Sequence, residues 1–170
     1  MKRRAFLKLT ALSGVSAFWA GAAADRPHVL PVVHHPRRLK SFGIEELAIP
    51  KLQALIDARK LTAVSLVKKY LARIEAIDRR GPRLNAVIEL NPDALAIAAE
   101  LDAERLAKGR RGPLHGIPML IKDNIDTHDR MTTTAGSLAL KGSIPLRDAF
   151  LVERLRAAGA VLLGKTNLSE

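Results

Sequence analysis

The residue whose type and setting best suit chemistry is Lys122. It closes the least polar short run beyond the N-terminal segment, Ile117-Pro118-Met119-Leu120-Ile121, and Asp123 and Asn124 follow it abruptly. A continuous apolar run bounded by turn residues suits a buried strand. In α/β sheets, functional groups gather at the carboxyl ends of strands. A lysine partly desolvated at such an end has its ammonium form disfavoured and can accept a proton. Asp123 beside it could equally hold it charged. The other lysines are read as solvated surface charges.

Two other patterns suggest chemistry but carry less. Gly159-Ala160-Val161-Leu162-Leu163-Gly164-Lys165-Thr166 fits the phosphate-loop expression letter for letter. That loop needs a strand first, then glycine-rich backbone around the phosphate, then a helix. Here a helical pattern precedes Gly159 and the intervening residues are themselves strand-like, so no nucleotide is expected at Lys165 and Thr166. His28, His34 and His35 lie among Pro27, Pro31 and Pro36, without the carboxylates or fixed helical spacing of a metal site. The chain has no cysteine, which excludes disulfides, thiolate metal sites and a cysteine nucleophile.

Elements to position Lys122 can be traced on both sides of it. Pro50 suits the first turn of a helix that carries Leu52, Leu55 and Ile56. Thr62 suits the N-cap of a second helix with Val64, Val67, Tyr70, Leu71, Ile74 and Ile77 along it, stopped by Gly81-Pro82. Ala86 to Leu90 is a strand candidate. Asn91-Pro92 opens a third helix, with Glu104 and Lys108 spaced for an ion pair. Asp148 is the expected cap of a fourth, which has Leu151, Val152, Leu155 and Ala158 on one side. Gly159 closes it, and Val161-Leu162-Leu163 forms another buried strand. Strands alternating with helices indicate an α/β layer with largely parallel strands.

Of the 170 residues, 48% are hydrophobic and 26% charged, and the net charge is +11. That composition excludes a disordered tail. Much of the excess charge lies before residue 41, and beyond Lys40 it falls to +4. With only Phe42, Tyr70 and Phe150 as aromatics beyond the first segment, neither a phosphate-binding surface nor a base-stacking platform is supported. No nucleic-acid partner is expected. Met1 to Ala24 has a basic start, a mildly apolar run from Leu9 to Ala20 and a small-residue end at Ala22-Ala23-Ala24. The run is too short and mild for a stable membrane span. Arg3-Arg4-Ala5-Phe6-Leu7-Lys8 resembles the twin-arginine export signal, which implies the export machinery as a partner and the bacterial periplasm or beyond as destination. Residues 25–43 are expected to form a Pro/His-rich linker, and 44–170 the folded part.

The run from Gly112 to Asp126, Gly-Pro-Leu-His-Gly-Ile-Pro-Met-Leu-Ile-Lys-Asp-Asn-Ile-Asp, resembles the first conserved block of the amidase signature family. Thr133-Thr134-Ala135-Gly136-Ser137, Asp148-Ala149-Phe150 and Ala157 to Glu170 continue the resemblance, and it reaches back to about Ile44. It implies an α/β fold, the N-terminal part of the amidase signature fold with a mixed central sheet covered by helices, incomplete in this chain. It also implies hydrolysis of a small-molecule or peptide amide by a Ser–cis-Ser–Lys set without metal or cofactor, with Lys122 as the lysine. Both serines belong to a downstream Gly/Ser-rich signature. Ser137, Ser143 and Ser169 do not occupy those positions, and these residues contain no Gly-Ser-Ser-Gly run. A piece truncated before that signature is therefore expected. The alternatives are a non-catalytic exported α/β fragment, or the amidotransferase component for tRNA-dependent amidation, against which the export signal argues.

Overall fold

A computed structural model of the chain describes residues 41–168. The export signal expected at Met1 to Ala24 and linker residues 25–40 lie outside the described residues.

Helix α1 (Ile49–Asp57) starts with Pro50 in its first turn and buries Leu52, Gln53 and Ile56. Helix α2 (Ala63–Arg73) starts from the expected Thr62 cap, which with Ser65 forms a reciprocal capping box. The exposed amides at its start have a further acceptor from elsewhere in the fold. Asp102 takes the N–H groups of Ala63 at 2.7 Å and Val64 at 3.0 Å, which places a carboxylate at the positive end of the helix dipole. The helix widens into a π-helical turn over Ile74–Arg80. Buried Asp78 in that turn accepts from the amides of Ala86 and Val87 and so aims the chain into strand β1 (Val87–Leu90).

Helix α3 (Ala94–Lys108) follows, with Asp93 rather than Asn91 at its N-cap position and no side-chain capping bond there. Asn91 instead makes a side-chain turn with the Asp93 amide and donates to the carbonyl of Leu162 at 2.8 Å. Strand β2 (Pro118–Lys122) has its proline at the first position, where a missing N–H is tolerated. Helix α4 (Phe150–Ala157) leads into strand β3 (Val161–Thr166). Asp148 does not cap α4, because its carboxylate is engaged by the His128 amide at 2.6 Å and by Arg156 Nε at 2.8 Å. Glu104 pairs with Arg111, at 2.6 Å from Nε, instead of the helical neighbour Lys108. Leu151, expected on the buried side of α4, is half exposed.

The sheet has the order β1-β3-β2. Strand β2 runs parallel to β3 and β1 antiparallel to it, so the sheet is mixed, not largely parallel. Between β1 and β2 lie α3 and the loop from Gly109 to Gly116, which bring β2 in opposed to β1 on the far side of β3. The central strand is buried along most of its length. Val161 and Leu163 pack against Ala63 and Val67 of α2 and Ala98 and Leu101 of α3. Leu162 packs with Ile121, Met131, Val152 and Leu155.

The register slips on both sides of β3, between Met119 and Leu120 on β2 and between Val87 and Glu89 on β1. Gly164 sits at the β2 slip, paired with Leu120 on one side and with Leu90 on the other. A Cβ there would lie 2.3 Å from the carbonyl oxygen of Glu89, so only glycine lets β1 approach this closely. Among the described residues no helix is long and apolar enough to cross a membrane.

The cap that α3 supplies to α2 gives a first prediction. Asp102→Ala removes two hydrogen bonds to a charged acceptor and is expected to cost about 2 kcal/mol of stability. Urea unfolding measures it, and an unchanged midpoint would contradict the assignment.

Candidate active site

The loop that delivers β2 is fastened at several points. His115 is buried, with Nε2 2.8 Å from the carbonyl of Leu101 and Nδ1 accepting from the Arg111 amide at 3.2 Å. Gln53 donates to the carbonyls of Pro113 and His115, and Arg105 reaches the His115 carbonyl and the Asp57 carboxylate. Gly159 has a φ of +79°, and its missing Cβ leaves room for the His115 backbone and ring. Its carbonyl accepts from the Gly116 amide at 2.7 Å, and the next bond across, from the Val161 amide to Ile117, starts the β2–β3 pairing.

Lys122 is the last residue of β2 and is paired with Thr166. The turn after it is closed by main-chain bonds. The Ile125 amide donates to the Lys122 carbonyl at 3.1 Å, the Asp123 amide to Thr166 at 3.1 Å, and the Ala135 amide to Asp123 at 3.2 Å. The backbone on either side of Lys122 is thus held while its side chain is exposed. Asp123 is buried. Its Oδ2 takes both the amide (3.2 Å) and the hydroxyl of Thr134.

Read from the sequence as a solvated charge, Lys165 is fully buried in the central strand. Its Nζ donates to the carbonyl of Ile125 and to Thr133 Oγ1, each at 2.7 Å. The segment around it runs α4, Gly159, β3, the reverse of a phosphate loop, so its amine is committed inside the fold. Burial pushes the Lys165 ammonium below its ordinary 10.5, and the Asp123 carboxylate opposes that push.

A row crosses the sheet through Glu89, Lys165 and Ile121, and three consecutive threonines lie along it. Thr132 gives its amide (2.8 Å) and hydroxyl (2.6 Å) to Glu89, Thr133 receives Lys165, and Thr134 binds Asp123. Sequence reasoning did not assign Glu89, Thr132, Thr133, Thr134 or Lys165. The signal for them was a lysine inside an apolar strand and a run of three threonines. Ser137 caps a short 3₁₀ turn, Leu138–Leu140, accepting from the Ala139 amide. Ser143 contributes its carbonyl to the Thr133 amide. Ser169 and the three linker histidines lie outside the described residues. Among the described residues no group of three or more His, Asp or Glu stands placed to hold a metal ion.

The buried amine predicts a pH dependence. Its folded value lies below 10.5, so the folded chain releases this proton at lower pH than the unfolded chain. Stability should therefore rise with pH as 10.5 is approached. Lys165→Met should flatten that rise on the approach to 10.5. Chemical unfolding at several pH values tests this, and parallel slopes for the two proteins would refute it.

Comparison with known proteins agrees with this architecture. The family model described as Amidase matches residues 65–170. The solved structure of the native peptide amidase from Stenotrophomonas maltophilia is 59% identical, with a TM-score of 0.73, covering 76% of this chain and 26% of that one. An Arabidopsis thaliana protein named "Probable amidase" is 48% identical over 136 residues, 79% of this chain and 26% of its own length. A glutamyl-tRNA(Gln) amidotransferase component of Chloroflexus aurantiacus is 46% identical over 128 residues, 75% of this chain and 26% of its own length. The chain thus spans about a quarter of the length of these relatives. With its fold forming part of theirs and the match covering most of its described residues, the chain belongs to the amidase family.

Proposed function

We propose that this chain is the lysine-bearing, N-terminal part of an exported amidase that cleaves a carboxamide C–N bond, with Lys122 as proton acceptor. The observation that carries the reading is the placement of Lys122. It ends β2 within the block 112–126, at the carboxyl end of a parallel strand pair, on backbone held from both sides. A group that must receive a proton from one direction needs such a fixed origin.

In the reaction, a serine Oγ attacks the amide carbonyl carbon while its proton passes through a second serine to neutral Lys122 Nζ. The C–N bond then breaks, and the departing amine takes that proton. Water cleaves the serine ester that remains. Both serines and the backbone N–H groups that stabilise the oxyanion come from the Gly/Ser-rich segment, which these 170 residues do not contain. The exposed Lys122 side chain acquires its low-dielectric surroundings from the rest of the enzyme, some three quarters of the length of the relatives. A peptide amide is the substrate class favoured by the 59% identity to a peptide amidase. The 46% identity to an amidotransferase component supports that second reading, but the basic N-terminal segment Met1 to Ala24 argues for an exported enzyme instead.

In a protein that carries these residues in frame with a Gly/Ser-rich segment, Lys122→Ala should lower kcat on a peptide amide by at least about 1,000-fold, with the unfolding midpoint retained. The 170-residue chain by itself should release no ammonia, since it has no nucleophile for Lys122 to activate. Turnover by the chain alone would mean that another residue within it is the nucleophile, and full activity of the variant would remove Lys122 from the mechanism.

Export is tested separately. Replacing Arg3 and Arg4 together by lysine should leave the protein in the cytoplasmic fraction, and undiminished periplasmic accumulation would defeat the twin-arginine reading.

A further inference from the structure

We infer that Lys165, through Thr133, is a positioning residue that fixes the turn carrying Lys122. The proposal rests on the reading of Lys122 as proton acceptor for its functional meaning, although its structural content can be tested without any reaction. Two short routes join the residues. In the first, Lys165 Nζ donates to the Ile125 carbonyl at 2.7 Å, and the amide of Ile125 in turn donates to the Lys122 carbonyl at 3.1 Å. In the second, Nζ donates to Thr133 Oγ1 at 2.7 Å. Thr134, the next residue, holds the carboxylate of Asp123, and the Ala135 amide holds the Asp123 carbonyl.

One amine therefore grips both segments that form the turn, the one leaving β2 and the threonine run that closes over it. Register separates the two lysines. Lys165 lies in the row with Glu89 and Ile121, whereas Lys122 lies in the next row with Val87 and Thr166. Lys165 therefore sits beneath the turn and acts through the backbone on which Lys122 stands.

A hydrocarbon at position 165 would fill the volume more cheaply, since a buried amine must be fully supplied with acceptors. What the amine offers beyond filling is a donor that can bind two oxygens from different segments at once. If the residue served only as core filling, the turn and the distant helices would weaken together on its removal. If it positions the turn, the loss is local, and Thr133 is part of the same device.

Amide hydrogen exchange in the 170-residue chain separates these outcomes. In Lys165→Met, the amides of Asp123, Ile125 and Ala135 should exchange about 10-fold faster or more, while those of Ala98 and Leu101 in α3 change less than about 2-fold. Thr133→Val should reproduce the local effect and Thr133→Ser should restore near-original rates. The double variant Lys165→Met/Thr133→Val should be no faster than Lys165→Met alone, which already lacks both bonds. Should Lys165→Met not fold, the Thr133→Val and Thr133→Ser pair decides alone. Unchanged rates in the turn, equal acceleration in α3, or additive effects would each overturn the proposal. Because no amide is hydrolysed in this measurement, its failure leaves the assignment of Lys122 standing, and loss of the Lys122 assignment leaves the measured coupling intact.

Discussion

The arrangement around Lys122 follows from one costly placement, a lysine amine with no exposure in the middle strand of the sheet. In the interior such a group must be met by oxygen atoms at hydrogen-bond distance, or the fold loses several kcal/mol. The acceptors are Ile125 and Thr133, on two separate stretches of chain. Meeting the amine draws the exit of β2 and the threonine segment together over the sheet. Glu89 on one flank and Asp123 on the other extend the same logic, each answered by a neighbouring threonine. The region is ordered by polar contacts above a mostly apolar layer, so it has a definite geometry instead of one of many comparable packings.

Below that layer the organisation is more ordinary. Helices α2 and α3 cover one face of β3 through small and branched residues, while α4 and Met131 cover the other. Side chains at element ends do much of the aligning. Asp78 steers the π-helical turn into β1, Asn91 couples the start of α3 to β3, and buried His115 joins the loop before β2 to α3.

Features with a local cause were legible in the sequence. The Thr62 cap, Pro50 in a first turn, Pro118 at a strand start and the three strands could be found because near neighbours determine them. Strand direction could not, because whether β1 runs with or against β3 depends on the long path between them. Asp148 and Glu104 were misassigned for the same reason. Each had a plausible partner nearby in sequence, but a better donor arrived from farther away, Arg156 with the His128 amide for one and Arg111 for the other. At the site, Lys122 stood out because an apolar run ended on it. Lys165 did not, because its acceptors are the Ile125 carbonyl and a threonine hydroxyl, which carry no charge to advertise the pairing.

The strand order has a consequence for how the chain acquires its shape. The central strand is the last of the three to be synthesised, and among the described residues β1 and β2 pair only with it. On the ribosome the helical segments can form and meet as they emerge, but neither early strand has a mate until residues 161–166 leave the exit tunnel. Sheet assembly is then a late closure over long sequence separations, which is slow compared with helix docking. During that wait Ile88 and Leu120 stand on unpaired strands, and the nascent chain is most open to unwanted partners.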